Sequence, residues 1–157
     1  MPRILVLRFS AVGDLVVTGS AIQALRDALP DAELLLGTRS ALVPLLSAHP
    51  ALDGILELEE DELLLSYLAR IRARAPDVVL DLHGSLRSHS LRMLLPEIPF
   101  VHIRRPGMFY RAAVGLRWQR ASHRDSREQR QHAAVEKLVG RSLPPPPFRV
   151  WVDPAGR

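Results

Sequence analysis

The chain has no cysteine, so disulfides and thiolate metal sites are excluded, in agreement with a reducing compartment. Aromatic residues make up only 5% of it, so any core must be aliphatic, and platforms for base stacking are scarce. No apolar run approaches the ~20 residues that a membrane-spanning helix needs. The amino-terminal apolar stretch, Ile4 to Leu7, is too short for a signal peptide and stops at Arg8. A cytoplasmic protein is the expectation. Glycine-rich nucleotide signatures are missing as well. The loop after the first apolar run has one glycine, Gly13, where a dinucleotide fingerprint needs three, and no Gly-Lys-Ser/Thr loop is present.

What is present fits one domain: 157 residues, 47% of them hydrophobic. Charge is unevenly placed. Residues 1–100 carry nine arginines against thirteen carboxylates, a net of −4. Residues 101–157 carry twelve basic residues against four carboxylates, a net of +8. A basic segment behind an acidic body favours an anionic partner: a phosphorylated sugar, a membrane surface or nucleic acid.

Ile4-Leu5-Val6-Leu7 is a continuous apolar run, the mark of a strand buried on both faces. A helix is predicted over 15–29, ended by Pro30-Asp31. The pattern repeats, with strands at 33–37, 54–58, 77–81 and 99–103 and helices near 40–47, 60–74 and 87–95. Strands alternating with helices roughly every 20 to 25 residues give βαβ units. The expected fold class is α/β, a Rossmann-like doubly wound parallel sheet. Beyond residue 104 a helix over 108–120 is weakened by Gly115, residues 122–130 read as a polar loop, and 131–139 read as a helix ended by Gly140. Four prolines at 144–147 form a stiff polyproline segment leading into a strand-like stretch at 148–152. The expected division is a domain over 1–143, then a proline-rich linker and the start of a further domain over 144–157.

Open parallel sheets bind ligands at the carboxyl ends of their strands. The first such loop holds Ser10, Gly13 and Asp14. Asp14 has two readings: an N-cap of the following helix, or a general base at the mouth of the sheet. Gly13 reads as a turn residue or as a point of close backbone approach to a substrate. Ser10 either binds a sugar or phosphate or satisfies its own loop. The fourth strand delivers Asp81 and His83: Asp81 holds the loop or binds ligand, and His83 is a local hydrogen-bond partner or contacts a sugar hydroxyl. After the fifth strand come Arg104 and Arg105, the start of a basic stretch that is either solvated surface or a set of guanidinium forks for carboxylate or phosphate. The histidines show no metal-ligand spacing.

Ile4-Leu5-Val6-Leu7-Arg8-Phe9-Ser10-Ala11-Val12-Gly13-Asp14-Leu15, continuing to Ala21-Ile22-Gln23-Ala24-Leu25-Arg26 and Pro30-Asp31-Ala32, resembles the start of the ADP-heptose–lipopolysaccharide heptosyltransferases (glycosyltransferase family 9). Val78-Val79-Leu80-Asp81-Leu82-His83-Gly84 resembles the family's second element, with His83 where glutamine is usual. The run from His132 to Leu138 is similar, more loosely, to a later helix. Ser20 stands where the family usually has proline.

The resemblance implies the amino-terminal half of a GT-B glycosyltransferase. Such a half holds the anionic inner core of lipopolysaccharide as acceptor, while a second domain holds the donor, ADP-heptose. Asp14 maps to the residue that deprotonates the acceptor hydroxyl. Ser10, Gly13, Asp81, His83, Arg104 and Arg105 are the expected acceptor-binding residues. No cofactor, no metal and no nucleic-acid partner are expected, and contact with the inner membrane surface is. The competing reading is a non-catalytic α/β module for an anionic saccharide or nucleotide.

Overall fold

The computed structural model describes residues 1–103 and 126–144. Five strands are present in that part: β1 Arg3–Leu7, β2 Glu33–Arg39, β3 Gly54–Leu58, β4 Val78–Asp81 and β5 Phe100–His102. All pair in parallel, in the order β3-β2-β1-β4-β5. The helices are α1 Val12–Ala28, α2 Leu64–Arg74, α3 Leu86–Leu94 and α4 Arg127–Val139, with a 3₁₀ turn at Ser40–Leu45. The expected Rossmann-like α/β class is the observed one.

Strand periodicity explains the two-sided core. Ile4 and Val6 point to one face, where α1, α4 and the 3₁₀ turn supply Ile22, Leu25, Leu46 and Val135. Leu5 and Leu7 point to the other, against Tyr67, Leu68 and Ile71 of α2 and Leu91 of α3. Each such fully buried aliphatic side chain contributes about 1.5–3 kcal/mol. Gly37 matters on this second face. A Cβ there would lie 2.6 Å from Leu7 Cδ2 and 2.7 Å from the Tyr67 hydroxyl, so the missing side chain makes room for both. The phenol, which burial pushes above its ordinary titration range, donates to the Leu56 carbonyl at 3.0 Å.

Several boundaries differ from the sequence reading. α1 starts three residues early, at Val12. Residues 40–45 wind as 3₁₀ because Pro44, inside the segment, has no N–H to give an α-helical bond. α2 starts at Leu64, since Glu62 is engaged in the preceding turn, accepting from the Glu59 N–H and facing Arg70. α4 reaches back to Arg127, so residues 127–130 are helix and not loop. Ser126 and Gln129 form a reciprocal capping box there, a Ser-x-x-Gln signal missed in the sequence. Gly140 ends α4 with a φ of 75°, as expected. The predicted helix over 108–120, the prolines at 145–147 and the strand at 148–152 lie outside the described residues. Among those described, no helix is long and apolar enough to cross a membrane.

Candidate functional site

The chain runs outward from β1 to β2 to β3, then returns through α2 to place β4 on the other side of β1. The strand order therefore switches direction between β1 and β4. In open α/β sheets ligands settle in the crevice outside that point. Both sequence motifs end there: the loop after β1 and the loop after β4 are neighbours, because Leu7 lies opposite Asp81 in the register.

The loop after β1 is organised by Arg8, which is only 7% exposed. A guanidinium so buried needs acceptors for its donors. It donates one N–H to the Leu82 carbonyl in the β4 loop and another to Asp14 Oδ2. Burial pushes the Arg8 guanidinium down from its usual value, while the Asp14 carboxylate opposes that shift. Asp14 Oδ1 accepts from Arg127, which reaches over from the first turn of α4. The carboxylate is thus gripped on both oxygens. The Arg8 side is buried, whereas the Arg127 side chain is 66% exposed.

This placement corrects the capping reading of Asp14. Ala11 is the N-cap of α1 and makes no side-chain cap bond, so Asp14 lies within the first turn of the helix, three residues past the cap, with its carboxylate turned to the two arginines. Asp14 still complements the positive helix end. Gly13 is helical too, and an added Cβ would meet nothing within 4 Å, so the turn reading falls. The close-approach reading rests on that same open space.

The β4 loop is built differently. Asp81 is 5% exposed, and its Oδ1 accepts the backbone N–H groups of His83 (2.9 Å) and Gly84 (2.8 Å). That is the loop-holding role. Ser85 then caps α3 in a reciprocal box with Ser88. The two turns fix His83 edge-on to Phe9, with ring centroids 5.8 Å apart, and Phe9 in turn meets Tyr67 edge-on at 5.9 Å.

Beside this contact lies an open cleft of about 540 Å³, lined by Phe9, Ser10, Arg39, His83, Ser85, Leu86 and Arg87. Arg39, at the end of β2, donates its Nε–H to the Phe9 carbonyl at 3.0 Å. Of the expected site residues, Ser10 and His83 line the cleft, Asp14 stands in the same β1 loop region, and Asp81 supports the floor. Arg104 and Arg105 lie outside the described residues. Arg8 and Arg39 were given no role by the sequence reading, and Arg127 only a place in the basic stretch read as solvated surface or as guanidinium forks for an anion. Only Arg8 carried a local signal, a charge directly after a strand buried on both faces. Among the described residues, no cluster of His, Asp and Glu is arranged to hold a metal.

Neither a family model nor a curated protein matches the chain. Solved structures do match it. The E. coli heptosyltransferase WaaC, in a structure with ADP-2-deoxy-2-fluoro heptose, superposes at a TM-score of 0.67 and 17% identity, over 93% of this chain and 51% of that one. The E. coli ADP-heptose lipopolysaccharide heptosyltransferase II gives 0.69 at 18% identity, over 97% of this chain and 47% of that one. A family 9 glycosyltransferase from Veillonella parvula gives 0.66 at 16% identity, over 96% and 46%. The chain spans about half the length of each. In fold, then, it stands with the heptosyltransferases that its opening motif resembles.

Proposed function

We propose that this chain is the acceptor-side half of an inverting GT-B glycosyltransferase that moves heptose from ADP-heptose to the inner core of lipopolysaccharide. The observation that carries the reading is Asp14: a carboxylate held in place by two guanidinium groups at the ligand edge of a heptosyltransferase-like sheet.

Asp14 takes the proton of an acceptor hydroxyl. The freed oxygen attacks the anomeric carbon of the donor from the face opposite ADP, and the bond to ADP breaks with its electron pair leaving on the phosphate. Configuration inverts. To accept the proton, one carboxylate oxygen must be available on the open side. Arg127 is exposed and yields there, while buried Arg8 keeps the carboxylate aimed. Ser10, the open backbone at Gly13, and His83 contact the acceptor, with Arg104 and Arg105 joining them and Asp81 fixing the loop. The donor binds a second domain, reached through the segment at 144–157. No cofactor is required. The protein works in the cytoplasm, against the inner membrane surface that presents its acceptor.

Two measurements test this. In the two-domain protein, Asp14→Asn lowers kcat about a thousandfold, within the usual range for loss of a general base, with little change in acceptor KM. An unchanged kcat overturns the assignment and leaves a binding module. This chain alone, given ADP-heptose and heptose-free lipopolysaccharide, forms no product. Steady turnover by it rules out the need for a second domain.

A further inference from the structure

Helix α4 makes two sets of contacts that the proposed chemistry of Asp14 leaves unexplained. Toward α1, with which it shares the buried cluster of Ile22, Leu25, Ala134 and Val135, it reaches residue 14 twice. Arg127 bonds Asp14 Oδ1, and Gln131, one turn further along, donates its side-chain amide to the Asp14 carbonyl at 3.4 Å. Gln131 is 1% exposed, so close packing holds its amide in place. The Thr18 hydroxyl donates to the same carbonyl at 2.9 Å. Residue 14 is therefore held from α4 by its carboxylate and by its main chain. The main-chain contact persists when exposed Arg127 gives way.

The next stripe of the helix holds the chain that follows it. Gly140 turns the backbone, and Ser142 and Leu143 fold back against α4. Glu136 Oε1 accepts the Leu143 N–H at 2.9 Å and the Ser142 hydroxyl at 2.8 Å. The Leu143 bond first, then the Ser142 bond, holds the Glu136 carboxyl below its usual range. His132 Nε2 lies 3.0 Å from the Leu143 carbonyl. Its Nδ1 is buried without a partner, where a bare nitrogen costs less than an unmet N–H, so the ring donates from Nε2. Leu143 is thus gripped at both its N–H and its carbonyl. Pro144 follows at once, and its ring restricts both its own φ and the residue before it. The direction in which the chain leaves is set by the orientation of α4.

Arg127, Gln131, His132 and Glu136 lie within about three turns of one helix, and a hydrogen-bonded helix of that length moves as a unit. We propose that α4 is a positioning helix: Gln131 and Arg127 set the place of Asp14, while His132 and Glu136 tie that place to the segment leaving at Leu143. That Asp14 is the general base, and that 144–157 leads to a donor domain, rests on the function proposed above. A reorientation of that segment then moves Gln131 and re-aims the base, so the alignment of the base follows the placement of the donor domain.

The test is NMR of this chain with its aspartates labelled at the carboxyl carbon, Asp14 being assigned from the signal lost in Asp14→Asn. Glu136→Ala, at a partly exposed position, releases Leu143. Amide exchange at Leu143 is expected to quicken about tenfold, the loss of one or two hydrogen bonds, and the Asp14 carboxyl and Arg127 Nε–H signals to shift with it. Glu136→Gln, whose amide oxygen still accepts, restores both. Gln131→Met keeps the side-chain length and loses the bond to the Asp14 carbonyl, so the Asp14 signal shifts while Leu143 exchange holds. Asp77, bonded to the Arg3 N–H at the opposite edge of the sheet, keeps its signal throughout. Circular dichroism confirms that each variant is folded, and Glu136→Ala carries the test if Gln131→Met unfolds. Faster exchange at Leu143 with an unmoved Asp14 signal overturns the coupling, and so does unchanged exchange in Glu136→Ala. An unmoved Asp14 signal in folded Gln131→Met overturns Gln131 as the positioning contact. None of these readouts needs turnover, so their failure leaves Asp14 standing as the base. An unchanged kcat in Asp14→Asn removes the base and leaves the coupling.

Discussion

Two aspartates stand at the ligand edge of the sheet, Asp81 at the end of β4 and Asp14 in the first turn of α1, and they do opposite things. Asp81 turns inward and accepts two backbone N–H groups of its own loop. Asp14 turns toward side chains, and both its partners are guanidinium groups, Arg8 six residues before it and Arg127 from the distant α4. A carboxylate engaged with backbone shapes a turn and cannot let go without unmaking it. One held by side chains can exchange a partner while the backbone stays put. The difference separates a structural acid from a reactive one, although both sit at the ligand edge of the same sheet.

The sharpest way to break that comparison is to remove what joins the two loops. Arg8→Met takes away the buried guanidinium that bonds both Asp14 and the Leu82 carbonyl, and it is expected to lower stability by about 3 kcal/mol in urea denaturation. A loss below ~1 kcal/mol, the level of a surface pair, means the loops are held together by packing alone.

Next in size is Asp81→Ala, which orphans two backbone donors and is expected to destabilise by about 2 kcal/mol. Amide exchange at His83 and Gly84 should quicken more than at residues of α1. If exchange rises equally in both loops, Asp81 does not act on its own loop alone.

The smallest effect is a pH dependence on the β1 side. His49 is buried, its Nε2 lies 2.9 Å from the Gly19 carbonyl of α1, and its Nδ1 accepts the Ala51 N–H. Burial holds its pKa below the ordinary 6.5, so the native state prefers the neutral ring. The unfolded chain then binds the proton more readily. The stabilisation is complete above pH 6.5 and is lost as pH falls through the lower native value. Melting temperature should drop more steeply between pH 7 and pH 5 in the unmodified chain than in His49→Gln. Parallel profiles remove His49 as the cause.

Much of the fold was legible because it is local. Ile4-Leu5-Val6-Leu7 has to be buried on both faces, and strand–helix alternation leaves few topologies. Asp14 and His83 were legible as positions, since any residue just past a parallel strand lies at the ligand edge. Their partners were not. Asp14 meets Arg127 across 113 residues of sequence, and Arg39 meets Phe9 across 30, so no window of sequence contains either pair. Asp14 looked like a cap because a cap and a first-turn acid differ by a shift of three residues in the helix start, a boundary that local pattern does not resolve.

Gly37 has a consequence beyond its own strand. The space it leaves is filled by Tyr67, on which Phe9 leans, and Phe9 is part of the cleft wall. The depth of the cleft is therefore adjustable from beneath. A single methyl at position 37 would lift that aromatic stack toward the ligand, so the shape of the cleft can be retuned by residues that never meet what it binds.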